Sequence, residues 1–166
     1  MCSSDLDGAA VEARQRGYDV VVLDDAIVGE ARAAAAAFAE TARTLAEAHR
    51  HPLCLIGSGE TTVHVRGQGR GGRNQEFALA MTAWLPGLGS EAVFLSGGTD
   101  GIDGPTDTAG ALVDVGTEAR GKAKARLAAD ALADNDSYHF FEATGDLVRT
   151  GPTGTNVGDL QILLLP

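Results

Sequence analysis

Apolar positions follow two periods along this chain. Tyr18 to Leu23 (YDVVVL) is β-branched and apolar, which predicts a buried strand ended by Asp24 and Asp25. From Glu30 to Arg50 the spacing turns helical, with Ala31, Ala34, Ala35, Phe38, Ala42, Leu45 and His49 on one stripe. Arg32, Glu40, Arg43, Glu47 and Arg50 fall mostly elsewhere and form a solvated face, with Arg43 spaced to pair with Glu47. Pro52 marks a turn, and Leu53 to Ile56 reads as a second buried strand. Gly57-Ser58-Gly59-Glu60 interrupts as a loop, and Thr61 to Arg66 then alternates like a strand. After Gly67, Gly69, Gly71 and Gly72, a helix is predicted from Arg73 to about Leu85, with Phe77, Leu79, Ala80, Met81 and Trp84 apolar. Ala92 to Leu95 and Ala111 to Val115 read as strands on either side of a long polar loop, Ser96 to Thr108. Thr117 and Glu118 begin a helix whose buried face is Ala119, Ala123, Leu127 and Ala131. Asn135, Asp136 or Ser137 caps a short helix with Tyr138, Phe140 and Phe141. The loop Thr150 to Gly158 leads to a last strand, Leu160 to Leu165.

Strands alternating with helices predict an α/β fold. The expectation is a three-layer αβα-type domain with a mostly parallel or mixed sheet and long glycine-rich loops at strand ends. The domain is expected over residues 18–166. Residues 1–17 read as an N-terminal junction, because Cys-Ser-Ser-Asp-Leu is also what one frame of a common sequencing adapter encodes. On that reading the junction is artefactual and an upstream domain is missing.

Composition narrows the function. The formal net charge of -10 argues against a nucleic-acid or anionic-membrane surface. A locally basic site for a small anion remains compatible with it. The 22 glycines are about twice average usage, and their clustering points to ordered loops with special backbone angles. Cys2 and Cys54 lack metal-ligand spacing and suggest no disulfide framework, so a reducing, cytoplasmic setting is expected. Cys54 lies in an apolar run and reads as a buried thiol. No apolar run approaches the ~20 residues of a membrane span, and no secretory signal pattern is seen. His49, His51, His64 and His139 form no evident ligand set.

Ligands of open α/β sheets bind outside the carboxyl ends of the strands, where four polar loops are expected: 57–60, 67–76, 96–107 and 150–159. The first offers Ser58, Gly59 and Glu60. The second matches G-x-G-x-x-G through Gly67, Gly69 and Gly72, between a strand and a helix, where backbone N–H groups suit an anion. No acid follows at the end of the next strand, as a dinucleotide site requires. Arg73 carries more weight. A cation at a helix entrance opposes the helix dipole, and a bound phosphate or carboxylate would remove the conflict through paired hydrogen bonds. An ion pair with Glu76 or a nearby aspartate would do the same. Asp100, Asp103 and Asp107 in the third loop suit Mg²⁺, substrate hydroxyls or plain Asx-turns equally. In the fourth, Thr153, Thr155 and Asn156 suit phosphate or sugar oxygens, or an ordinary turn before an edge strand. No Walker A lysine motif is present.

Gly71-Gly72-Arg73-Asn74-Gln75-Glu76, Ser96 through Asp107 (SGGTDGIDGPTD), Asn135-Asp136-Ser137-Tyr138 and Thr150 through Asn156 occur in this order. That series resembles the MOFRL domain of the glycerate 2-kinase family, some members of which are named hydroxypyruvate reductases. The resemblance runs from about Tyr18 to the end. It implies ATP- and Mg²⁺-dependent transfer of the γ-phosphoryl group to the 2-hydroxyl of D-glycerate, in a cleft between this domain and a larger N-terminal domain that carries an important lysine. Arg73 is the matching catalytic candidate here. Substrate or phosphate contacts are expected from Ser58, Gly59, Glu60, Gly71, Gly72, Asn74, Glu76, Thr99, Asp100, Asp103, Thr153, Thr155 and Asn156. The partner domain is absent, so the chain alone is expected to be inactive. Gly158 departs from the family's usual Val-Asn-Asp-Leu ending. The alternatives are an NAD(P)H-dependent hydroxypyruvate reductase and a non-catalytic module for a small anion.

Overall fold

The computed structural model describes the backbone of residues 3–166, and side chains from residue 6 onward. Met1 and Cys2, and with them the question of a true start, lie outside the described residues. The chain begins with α1 (Ser3–Gln15), β1 (Asp19–Val22), β2 (Ile27–Glu30), α2 (Ala31–Ala48) and β3 (Leu53–Thr62). It continues with α3 (Arg73–Met81), α4 (Leu85–Leu88), β4 (Val93–Gly98), β5 (Gly110–Asp114) and α5 (Thr117–Ala123). α6 (Ala128–Ala133), α7 (Ser137–Thr144), β6 (Leu147–Val148) and β7 (Asp159–Leu165) complete it.

One sheet runs β1-β3-β7-β4-β5-β6, with β2 also on β3. β1 and β2 pair in parallel with successive stretches of β3, and every other pair is antiparallel. The sheet is therefore mixed, its parallel part confined to one edge. β7 is central, so the loop before it precedes no edge strand.

Alternation along the strands sends side chains to two faces. Leu53, Leu55, Phe94, Val113, Leu163 and Leu165 join the buried faces of α2 and α3 and Phe140 and Phe141 of α7 in the main core. Phe94 stands 5.4 Å from Phe38 and 5.5 Å from Phe77, centroid to centroid, and so joins β4 to both helices. Cys54 and Ile56 point the other way, against Ala10 and Ala13 of α1. Helices on both sides of one sheet make the three layers expected. Among the described residues no helix is long and apolar enough to cross a membrane.

Several expectations are corrected. Residues 57–60 are not a loop but the middle of β3, because β2 lies against them: a Cβ on Gly59 would sit 1.9 Å from the Ile27 carbonyl oxygen, and one on Gly57 2.5 Å from the Ile27 side chain. Beyond Thr62 the chain is irregular, not a strand. Ser96 to Gly98 belong to β4, and Gly110 makes room for the Ser96 carbonyl. α3 stops at Met81, and a separate turn of helix holds Pro86, leaving Trp84 39% exposed. Arg43 pairs with Glu40, not Glu47, and His49 caps α2 instead of extending its stripe. The helix predicted after Thr117 is two helices. Ala119, Ala123 and Leu127 are exposed, while Gly121 packs beneath Phe140, and Ala125 turns the chain with φ 55°. Thr117 does not cap: its hydroxyl accepts from the Asp114 N–H.

Candidate active site

The antiparallel pairing brings the carboxyl ends of β3 and β4 and the amino ends of β5 and β7 to one side of the sheet. Asp159, the first residue of β7, lies between Gly59 of β3 and Gly98 of β4. Arg73, the first residue of α3, reaches it with Nε donating to Oδ2 at 2.7 Å and Nη2 to Oδ1 at 3.0 Å. Asp159 is fully buried on its side chain and Arg73 is 36% exposed. Nη1 faces Oε1 of Glu60 at 3.2 Å, and Glu60 is 69% exposed. The Asp159 carboxylate holds the guanidinium above its already high ordinary pKa, against the opposing effect of burial. The conflict between Arg73 and the helix dipole is thus relieved by an aspartate. Glu76 has other partners, Arg32 at 2.7 Å and Asn135 at 2.9 Å.

The glycine loop is turned inward. The N–H groups of Arg66 and Gly67 donate to Asn135 Oδ1, that of Gln68 to Asp134 Oδ1, that of Gly69 to the Asp134 carbonyl, and that of Arg70 to Asp136 Oδ1. Its glycines allow this approach. A Cβ on Gly67 would lie 2.3 Å from the Asp134 carbonyl oxygen, and one on Gly71 2.1 Å from Ser137 Oγ. The G-x-G-x-x-G spacing therefore serves packing, of Gly67 and Gly69 against Asp134 and Asp136 and of Gly72 against Asp103, and the N–H groups of residues 66–70 are satisfied within the chain.

The entrance of α3 is filled in the same way. Asp103, 1% exposed, accepts from the backbone N–H groups of Asn74 and Gln75 at 3.0 and 2.9 Å, and from both side-chain amides. Burial pushes its carboxyl above the usual range, opposed by these four donors. Asp103 is a helix cap supplied from a distant loop. Asp100 accepts from the Ile102 N–H in an Asx-turn, and Asp107 accepts from Tyr138 Oη and Arg149. The three aspartates face different partners, and among the described residues no three His, Cys, Asp or Glu side chains gather as a metal-holding group.

The third and fourth loops are sewn together. Thr99 Oγ1 donates to the Gly158 carbonyl and accepts from the Val157 N–H, and Thr153 Oγ1 donates to the Thr99 carbonyl at 2.5 Å. Thr155 donates its N–H to Thr153 Oγ1, and Gly158 to Asn156 Oδ1. Thr99, Thr153 and Thr155 thereby hold the wall of the site. Ser58 is buried within β3.

Two clefts flank the Arg73–Glu60 pair. One, of about 480 Å³, is lined by Gly59, Glu60, Arg73 and Asn156 to Gly158. The other, of about 860 Å³, is lined by Glu60, Gly71, Gly72, Arg73, Glu76 and Asn135, among others. Of the residues expected in the site, Gly59, Glu60, Gly71, Gly72, Arg73, Glu76 and Asn156 come together here. Asp159 was not among the expected residues. The only signal for it is an acid at the junction of the last loop with the last strand.

Fold and site together define an α/β domain with a polar, arginine-centred cleft at its strand ends. A profile described as the MOFRL family matches residues 53–159, and the chain belongs to that family. It is 43% identical over 163 residues to the D-glycerate 2-kinase of Thermotoga maritima, a match spanning 96% of this chain and 39% of that protein. It is 42% identical over 166 residues to a protein of Agrobacterium vitis that carries a hydroxypyruvate reductase name, covering 43% of it. The crystal structure of a glycerate kinase from Thermotoga maritima superimposes with a TM-score of 0.89 at 40% identity, over 96% of this chain and 39% of that one. The chain thus spans less than half the length of these relatives.

Proposed function

We propose that this chain forms one wall of the active site of a glycerate 2-kinase, which transfers the γ-phosphoryl group of ATP, with Mg²⁺, to the 2-hydroxyl of D-glycerate. The observation that carries the reading is Arg73. It projects from a helix entrance into a polar cleft at the strand ends, held by a buried carboxylate, in a chain 43% identical to a D-glycerate 2-kinase. Phosphoryl transfer is mostly positioning and charge neutralisation, and a fixed guanidinium provides both for a small hydroxy acid.

The described residues fit the nucleotide and its metal less well. The N–H groups of residues 66–70 and of Asn74 and Gln75 are bonded internally, and among the described residues Asp100, Asp103 and Asp107 do not gather as a metal-holding group. We therefore assign ATP and Mg²⁺ chiefly to the remainder of a full-length cytoplasmic enzyme, and glycerate to this domain. The chain by itself is expected to turn over no glycerate.

Coupled measurement of glycerate-dependent ADP release on the full-length protein tests the reading. Arg73→Ala is expected to lower kcat/KM about a hundredfold or more, in the range of other losses of a transition-state donor. Unchanged kinetics would remove Arg73 from the site. The name of the Agrobacterium vitis relative favours a second reading, an NAD(P)H-dependent reductase. Oxidation of NAD(P)H by hydroxypyruvate, followed by nicotinamide absorbance, would establish it. The packing role of Gly67, Gly69 and Gly71 weighs against it.

A further inference from the structure

Arg73 has two carboxylate neighbours of unlike character. Asp159 is fully buried, anchored by its place between β3 and β4, and takes Nε and Nη2 side-on. Glu60 is mostly exposed, meets the guanidinium at Nη1 and lines both clefts beside it. A side-on pair leaves the other edge of a guanidinium, the Nη1–Nη2 fork, free to take a second carboxylate. Glu60 stands beside one end of that fork, 3.2 Å from Nη1. A third anion meeting this trio would encounter a net negative charge unless one carboxylate withdrew. Exposed ion pairs are weak and exchange readily, whereas unpairing a buried carboxylate is costly. Glu60 is the one that can leave.

We propose that Asp159 is a positioning residue that aims the Nη1–Nη2 fork of Arg73 into the cleft, and that Glu60 occupies the place on Nη1 taken by the carboxylate of the small hydroxy-acid substrate. This rests on the kinase reading given above. It assigns opposite effects to two carboxylates on one arginine, which a purely structural role for either would not produce.

The test is steady-state kinetics of the full-length protein with D-glycerate and MgATP varied in turn. Asp159→Asn is expected to raise the KM for D-glycerate about tenfold or more, with the KM for MgATP within about twofold of the parent. Asp159→Glu restores part of the loss. Glu60→Gln is expected to lower the KM for D-glycerate roughly two- to fivefold, the scale of an exposed ion pair. Arg73→Lys keeps Asp159 but cannot form the side-on fork, so it shows the same glycerate-specific defect even if Asp159→Asn folds poorly. Adding Asp159→Asn to Arg73→Lys costs nothing further. Equal changes in both KM values, no change in Arg73→Lys, or a higher glycerate KM in Glu60→Gln would each overturn the proposal. If Arg73→Ala itself leaves turnover and both KM values unchanged, the kinase reading of this cleft fails, which is a distinct outcome.

Discussion

Cys54 shows how a single side chain records its place in the layers. It faces α1 from the centre of β3, 1% exposed, and burial pushes its thiol from the usual 9.0 up to about 11. The neutral form is favoured in the folded chain, so its contribution to stability is complete below about pH 9 and is lost as pH rises through about 11. The difference corresponds to roughly 3 kcal/mol. Urea midpoints are expected to fall across this window in the parent chain, and to lack that component in Cys54→Ala, which starts from a lower value. This burial was legible, since a cysteine inside an apolar run usually packs as a small hydrophobe. The prominence of Arg73 was legible too, because a cation is out of place at a helix entrance. Its partner was not. Asp159 matters only because β7 enters between β3 and β4, a pairing that no local pattern encodes.

At the scale of elements, α2 is the best-read part of the chain. Its apolar stripe is long enough to leave one interpretation, and Ala31, Ala34, Ala35, Phe38 and Ala42 are all buried. Short elements were missed for want of a repeat: β2 has 4 residues and β6 has 2. The sequence pattern joins α5 and α6 because alanines fit either face, while the actual contact is made by Gly121. The cap of α3 comes from 29 residues away. Asp103→Ala would strand the Asn74 and Gln75 N–H groups in a buried setting. A loss of about 3 kcal/mol or more is expected from two orphaned donors and a cavity, read as a lower urea midpoint. Asp103→Asn should recover part of it, as its carbonyl oxygen still accepts from one of them.

For the whole molecule, the α/β class and three layers followed from alternation of strand and helix patterns. Strand direction did not follow, because the antiparallel course of β7 depends on where the long loops carry the chain. The main core depends on Phe94, which ties the sheet to α2 and α3 through Phe38 and Phe77. Phe94→Ala is expected to cost ~3–5 kcal/mol and to lower the unfolding midpoint seen by tryptophan fluorescence and by circular dichroism together. Separate shifts in the two signals would show that the layers unfold independently. The split outer edge of the sheet has a consequence for colonies of this molecule in concentrated solution. β1 and β2 share β3 as partner but are divided by a bend, and each is only 4 residues long, while β6 at the opposite edge has 2. A foreign strand finds no long, straight ladder of open amides to copy. Short, broken edges of this kind disfavour strand-to-strand fibre growth, so the geometry that crowds Gly57 and Gly59 also guards the sheet against aggregation.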